Sequence, residues 1–503
     1  MKSARIVVIG AGIGGLVAAT LLAARGRDVL LLERQATPGG KMRLVRAGDA
    51  LIDGGPTVFT MRSLFERIFA EAGTSLDAEL TLKPLSVLAR HSWGHGPELD
   101  LFASLEESVD AIGAFAGRDE AARFRAMQAE ARHMFETLNK TFIEAQRPSP
   151  FDVAFGGGVT GLLNMMKINP FETLWGAVSR HLKDPRLRQL FGRYATYVGS
   201  SPFSAVATLL LIAHVEQEGV WSIKGGMHAV ARAFEHLFQK HGGTCRYNTN
   251  VERIETGQSG VTAVITAEGE RIACSDVIVN ADVNALASGL FGQDVASAFD
   301  PVPRKARSLS AITWCAHLKT AGFPLALHSV FFSRDYRHEF DELRKGYPSD
   351  PTVYICAQDR VSQDHHAQDQ IAFHGGKERL LILINSPANG DRDEKNRNQI
   401  ERAMRRKLSA CGLSLVWDDA SVTTTSPQGF EALFPATGGA LYGRASHGFM
   451  ASFKRPGART KIPGLYLVGG SAHPGAGVPM AALSGRHAAE ALLATRAEKR
   501  QSA

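Results

Sequence analysis

The stretch from Arg5 to Glu33 constrains the chain more than any other. Arg5-Ile6-Val7-Val8-Ile9 shows no polar alternation. That is the pattern of a strand covered on both faces in a parallel sheet, and it predicts a strand over Ala4–Ile9. Gly10-Ala11-Gly12-Ile13-Gly14-Gly15 follows and matches GxGxxG. Leu16 to Arg25 reads as a helix ended by Gly26. Asp28 to Glu33 reads as the next strand, closing on an acid 18 residues after Gly15. Each part has a physical task. Gly10 permits a tight turn, Gly12 admits a pyrophosphate close to the backbone, and Gly15 lets the helix pack on the sheet. The helix N-terminus offers free N–H groups to phosphate oxygens. Glu33 is suited to a ribose diol and disfavours a 2′-phosphate. The unit therefore predicts a doubly wound α/β fold that binds a dinucleotide.

The same stretch imitates an export signal. Ile6 to Ala24 carries no charge and follows Lys2 and Arg5. Four glycines within it weaken a continuous membrane helix. The next longest apolar run, Ala205 to Val215, is interrupted by His214 and is too short to span a bilayer. No signal peptide and no transmembrane helix are expected.

At 503 residues the chain is too long for one hydrophobic core. Its 44% hydrophobic and 21% charged residues are ordinary for a globular protein and exclude wholesale disorder. Lys plus Arg exceeds Asp plus Glu by 57 − 50 = 7. That mild excess suits a basic enzyme or an anionic membrane surface, and no nucleic-acid partner is expected. The five cysteines are at least 29 residues apart, with no CxxC or Cys/His cluster. Neither a structural metal nor a disulfide framework is expected, and a reducing compartment fits.

Further glycine turns decide which dinucleotide. Gly39-Gly40-Lys41 and Asp53-Gly54-Gly55-Pro56 come soon after Glu33. Near the other end, Gly464-Leu465-Tyr466-Leu467-Val468-Gly469-Gly470 reads as a strand running into glycines. Ser471 to Met480 continues as a loop, and Ala481 to Ala494 reads as a helix with Pro479 near its start. A second helix N-terminus aimed from such a turn suits negative charge at the N1/O2 edge of a reduced flavin. Between the ends, Cys245–Ile254, Val261–Thr266 and Arg271–Ile278 read as a β-meander. Val277 to Ala281 reads as a strand rejoining the main sheet, and Lys224-Gly225-Gly226-Met227 opens a helix to His241.

Taken together, these motifs resemble the flavin-dependent amine-oxidase-like superfamily. Within it they resemble the bacterial carotenoid desaturases of the phytoene desaturase type. The resemblance runs through nearly the whole chain. It is carried by the N-terminal fingerprint with Glu33-Arg34, Gly39-Gly40-Lys41 and Asp53-Gly54-Gly55-Pro56-Thr57. Gly219 to Met227 and His473-Pro474-Gly475-Ala476-Gly477-Val478-Pro479 complete it. Gly55 to Arg62 and Gly477 to Arg486 further resemble the 1-hydroxycarotenoid 3,4-desaturases of phototrophic bacteria.

The resemblance implies FAD, with Gly10, Gly12 and Gly15 facing the pyrophosphate and Glu33 and Arg34 at its adenosine side. It places Gly40 and Lys41 along the diphosphate–ribityl path and Val251 at the adenine, and it counts Gly55 among the cofactor-binding residues. It puts Gly470, Val478 and Met480 by the ribityl or isoalloxazine end. Where many relatives carry an acid after the last strand, this chain has Gly469-Gly470. The implied architecture is a Rossmann-like FAD-binding domain from 1–80, 220–300 and 450–503, with an inserted α+β substrate domain from 81–219 and 301–449.

The implied reaction is dehydrogenation of a C40 carotenoid at C3–C4 in carotenoid biosynthesis. Hydride goes to flavin, and a quinone or oxygen is the final acceptor. The developing positive charge spreads along the polyene, so a strong base is not required. Leu162 to Phe203 and a predicted amphipathic helix over Ser204–Glu218 would supply core and tunnel wall. Basic clusters at Arg402–Lys407, Lys454–Lys461 and Arg496–Arg500 suit solvated faces or a peripheral, cytoplasmic-side membrane contact. Phytoene desaturase, flavin-dependent carotenoid isomerase and another amine-oxidase-like flavoenzyme are the alternatives. No catalytic acid or base is assigned. His214, Glu216 and Glu218 are candidates, with His214 and Glu218 at i, i+4 on one face. His473 is expected to hydrogen-bond its own loop region.

Overall fold

The uncharged N-terminal run is apolar because it is buried on every side. In the computed structural model Ile6–Ile9 is the central strand of a five-stranded parallel sheet. The order is Leu465–Leu467, Asp276–Val279, Ile6–Ile9, Val29–Leu32, Thr244–Arg246. The register aligns Ile6 with Asp276 on one side and Val29 on the other. Helix Ile13–Ala24 buries every residue from Ile13 to Ala23. It packs against the sheet and against helices His228–Lys240 and Val478–Gln501. Leu16 and Leu22 are fully buried there. Truncating either to Ala costs about 2–5 kcal/mol. The structure describes residues 5–94, 96–151, 169, 171–360, 376–392 and 397–501, without the side chains of 397, 499 and 500. The start of the expected Leu162–Phe203 wall, namely 162–168 and 170, lies outside them.

Three sequence-based elements are corrected. The strand expected over Cys245–Ile254 is two strands. Thr244–Arg246 joins the main sheet, and Val251–Gly257 joins a three-stranded antiparallel sheet. The break falls at Asn248, whose φ of 52° is left-handed. There Asn248 N–H donates to Gln35 O and Thr249 N–H to Glu33 O, so the turn is anchored on the Glu33–Gln35 loop. The expected Arg271–Ile278 strand also divides, into Arg271–Ala273 and Asp276–Val279. The helix expected over Ser204–Glu218 forms late. Ala205 and Val206 bridge to His447 and Thr173, a 3-10 turn covers Ala207–Leu210, and the α-helix is only Leu211–Gln217.

A second, eight-stranded sheet lies apart from the first. Its order is Leu413–Val416, Ser310–Gly322, Glu378–Ser386, Val353–Ala357, His328–Phe331, Val87–Ser92, Leu99–Phe102. Val422–Thr425 also pairs with Ser310–Gly322. Side chains alternate across this sheet. Ile312, Trp314 and Ala316 pack with Met404 and Leu408 of helix Arg397–Ala410. Thr313, Leu383 and Tyr354 form one cross-strand row on the opposite face and line a cavity. Helices Leu105–Ala116, Arg118–Leu138, Leu174–His181 and Pro185–Gly192 gather around a further apolar cluster beside that face. Among the described residues, no helix is long and apolar enough to cross a membrane.

Candidate cofactor and substrate site

One continuous cavity of about 1230 Å³ runs from the first sheet to the second. A single small-molecule pocket is typically about 300–1,000 Å³, so this one suits two occupants. Its two ends are built differently.

The first end is a cradle of backbone. Helix Ile13–Ala24 starts at Gly12 with no side-chain cap, so its first N–H groups are left for a ligand. Gly39 N–H donates to Ala11 O at 2.8 Å, which lays the Gly39-Gly40 turn against the GxGxxG turn. A Cβ on Gly12 would lie 2.6 Å from Asn280 Nδ2. Glu33 is 7% exposed at the bottom of the slot. Its Oε2 accepts from Ala11 N–H at 2.6 Å and its Oε1 from Gln35 N–H at 2.8 Å. The carboxylate is thus held rigid, with lone pairs remaining for a diol.

Of the twelve residues expected to hold the cofactor, eleven line this cavity: Gly10, Gly12, Glu33, Arg34, Gly40, Lys41, Gly55, Val251, Gly470, Val478 and Met480. Gly15 is the correction. It does not line the cavity, because it faces the sheet, where a Cβ would lie 2.1 Å from Gly10 O. Its task is the close helix–strand contact. Arg34 lines the slot, but its guanidinium also donates to Ala432 O at 2.8 Å and to Leu433 O. It therefore caps the end of helix Pro427–Leu433. Asp53 does not touch the slot. It accepts from Met227 and His228 N–H, both at 3.0 Å, and so joins the Asp53-Gly54-Gly55 turn to the start of helix His228–Lys240.

Two buried cations sit where the chain ends converge. Lys41 donates to Leu441 O and its ammonium lies 5.3 Å from the Phe434 ring centroid. Arg455 donates to Gly470 O at 2.7 Å, Tyr442 O at 3.0 Å and Arg444 O at 2.8 Å. Burial lowers the pKa of both, to about 10 for Arg455, and Asp282 partly offsets this. Among the described residues neither cation has a carboxylate within salt-bridge distance. Only partly compensated buried positive charge, uncapped helix N–H groups and a glycine slot together fit an anionic dinucleotide.

The second end is a wall of side chains. Phe135, Leu138, Phe142, Leu209, Leu211, Ile212 and Val215 make it apolar. A polar cluster interrupts it. Arg193 donates to the Tyr197 hydroxyl at 3.1 Å and lies over the Tyr197 and Tyr354 rings at 5.1 and 5.3 Å. Glu216 accepts from Tyr194 at 2.7 Å. Burial pushes the Glu216 carboxyl upward, opposed by Tyr194, Tyr197 and Arg193. Thr57 and Tyr354 share a hydrogen bond of 2.6 Å, which ties this cluster to the Gly55-Pro56 turn.

The expected base candidates separate in space. His214 pairs with Glu218 at 3.5 Å, and neither lines the cavity; Glu216 does. His473 Nε2 lies 2.8 Å from Ala145 O, and its ring stacks on His487 at 6.2 Å. Burial lowers His473 to about 4, so it is a neutral loop anchor. The sequence reading passed over Arg193, Tyr197, Tyr354, Asp282 and Arg455. The available signal was Arg193 among Phe191, Tyr194 and Tyr197, a cation in an otherwise apolar stretch. Among the described residues, no group of three or more His, Cys, Asp or Glu is placed to hold a metal ion.

With the fold and the cradle in view, the class is defined. The chain belongs to the flavin containing amine oxidoreductase family, whose model matches residues 13–493. It is an oxidoreductase, and FAD is its cofactor. It is 48% identical to hydroxyneurosporene desaturase of Rubrivivax gelatinosus over 98% of this chain and 94% of that protein. It is 30% identical to 1-hydroxycarotenoid 3,4-desaturase of a Flavobacterium species, over 99% of this chain and 100% of that one. Among solved structures, an oxidoreductase of Methanosarcina mazei shares the fold with a TM-score of 0.62 at 16% identity. That match covers 97% of this chain and 100% of the other.

Proposed function

We propose that the protein dehydrogenates the C3–C4 bond of a 1-hydroxycarotenoid of the hydroxyneurosporene type, as a step of carotenoid biosynthesis. The end-to-end 48% identity to hydroxyneurosporene desaturase carries this reading. The cavity geometry supports it, since a polar cradle opens without interruption into an apolar tunnel.

FAD, when bound, supplies the hydride acceptor. The chain supplies everything else. Gly10, Gly12, Gly40 and Glu33 hold the adenosine and diphosphate part along the first sheet. Gly55, Gly470, Val478 and Met480 border the far end, where Lys41 and Arg455 offset accumulating negative charge. Phe135, Phe142, Ile212 and Val215 grip the polyene by apolar contact and exclude water from the reacting carbons. Positive charge on the polyene is delocalised, so the proton needs only a weak acceptor.

The chain divides, on this reading, into an FAD domain from 1–80, 220–300 and 450–503 and a substrate domain from 81–219 and 301–449. Peripheral attachment to the cytoplasmic side of a membrane accounts for a surface feature. Phe142, inside the cavity, contacts Phe453, which contacts Phe449, which contacts Phe171, with ring centroids 5.3, 5.4 and 5.1 Å apart. Phe171 is 85% exposed, and Met450 and Lys454 are exposed beside it. This aromatic line is a route for an apolar substrate, and a membrane quinone is the proposed acceptor.

The test is incubation of the FAD-loaded protein in liposomes with 1-hydroxyneurosporene or with phytoene. A red-shifted product from the hydroxylated substrate alone is expected. Turnover of phytoene alone would make the protein a phytoene desaturase. Isomerised but unoxidised carotenoid would make it an isomerase.

A further inference from the structure

A tunnel for a hydrocarbon has no need of a buried guanidinium and carboxylate, and both are costly to desolvate. Arg193 and Glu216 nevertheless line the tunnel wall together. Among the described residues, the guanidinium makes one hydrogen bond, to the Tyr197 hydroxyl at 3.1 Å. Its remaining donors have no protein acceptor there. Glu216 accepts from Tyr194 at 2.7 Å, and the Tyr197 hydroxyl is its second hydrogen-bonding partner. Both side chains therefore retain hydrogen-bonding capacity, one as donor and one as acceptor. The cluster is also fixed in position. Tyr354, whose ring lies beneath Arg193, bonds Thr57 at 2.6 Å, two residues beyond the cofactor-lining Gly55.

We infer that Arg193 and Glu216, bridged by Tyr197, form the subsite for the tertiary hydroxyl of the substrate end group and so select 1-hydroxylated carotenoids. The inference rests on the reading that the substrate is a 1-hydroxycarotenoid. In that substrate one methylene separates the hydroxyl-bearing carbon from the C3–C4 bond. A group that holds the hydroxyl must then lie beside the reacting end of the cavity, and Thr57 ties the cluster to that end. Arg193 donates to the hydroxyl oxygen, and Glu216 accepts its proton in a hydrogen bond. Tyr197 already makes the same kind of contact with Arg193. A substrate lacking the hydroxyl leaves both buried groups unpaired, which is the strongest form of discrimination available to a pocket.

The experiment compares 1-hydroxyneurosporene, its 1-methoxy ether and neurosporene as substrates of the holoenzyme in liposomes. The wild type is expected to favour the hydroxylated substrate over neurosporene. In Arg193→Met that preference, as a ratio of kcat/KM values, is expected to fall about a hundredfold while bound FAD is unchanged. Tyr197→Phe keeps the ring and loses the bridge, and is expected to lower the ratio about tenfold. Glu216→Gln is expected to lower turnover of the hydroxylated substrate more than that of the methoxy ether, since the ether has no proton to donate. Equal losses on all three substrates in Arg193→Met and Tyr197→Phe would overturn the subsite. If Arg193→Met does not fold, the Tyr197→Phe ratio decides. A wild type that oxidises neurosporene as well as its hydroxy derivative would also overturn the subsite and leave the desaturase reading standing. A wild type that oxidises none of the three would remove both.

Discussion

The two ends of the cavity solve one problem, holding a long ligand, with opposite materials. The cofactor end is made of backbone: glycine turns, helix N-termini and one buried acid. The tunnel end is made of side chains from helices and from one face of a sheet. A backbone cradle depends on residue type, because a Cβ at Gly12 would lie 2.6 Å from Asn280 Nδ2, an amide that donates to Gly10 O at 3.3 Å and would have to give up that bond to move. A side-chain wall depends on summed volume and polarity, and many sequences build the same surface. Changes in the cradle should therefore act nearly all-or-none on FAD. Changes in the wall should grade substrate affinity and leave FAD in place.

The sharpest way to break this contrast is Gly12→Val. Overpacking alone costs about 1–3 kcal/mol, and the branched side chain occupies the phosphate slot. The purified protein is expected to lack visible flavin absorption; normal FAD content would show that the slot is not where it was placed. Glu33→Ala comes next. It removes the acceptor of Ala11 and Gln35 N–H together with the proposed ribose contact. Losing charged hydrogen bonds of about 1.5–3 kcal/mol each should weaken FAD binding roughly tenfold to a hundredfold, read by titrating apoprotein. On the other side, Phe142→Ala opens the wall where it meets Phe453 and His473. KM for carotenoid should rise several-fold with FAD content intact; loss of FAD would blur the division.

The last effect concerns pH, separates the two ends least and reaches both regions. Burial lowers His91 and His328, in strands of the tunnel sheet, to about 4, and does the same to His473, in the loop before helix Val478–Gln501, and to His487 in that helix. Their ordinary value is 6.5. The unfolded chain thus takes up protons that the folded chain excludes. Stability from these groups is complete above pH 6.5 and is lost as the pH falls towards 4. Each contributes at most about 1.4 kcal/mol per pH unit in that window. Tm should fall steadily from pH 7 to pH 5; a flat profile would mean that these histidines are not buried neutral.

The same contrast explains what could be read from the sequence. The places of Gly10, Gly12, Glu33, Gly40 and Gly470 on the cavity wall were legible because each has a steric or electrostatic character that few residue types offer at that spacing. Gly15 was legible as a packing residue; the resemblance also put it at the pyrophosphate, and it does not line the cavity. Strand ends around Asn248 were missed because a left-handed turn at an asparagine leaves no periodic signature. Arg193 and Tyr354 were passed over because they are 161 residues apart (354 − 193) and meet only through tertiary packing. Thr313 and Tyr354 share a sheet face only after Leu383 is inserted between them.

The central claim is that one cavity brings FAD and a carotenoid end group together for net oxidation. The most direct measurement is an anaerobic single turnover of the holoenzyme with 1-hydroxyneurosporene and no added acceptor. The account predicts that flavin absorption bleaches in step with one equivalent of red-shifted product, and that added quinone restores it. Carotenoid consumed with the flavin absorption unchanged would contradict it.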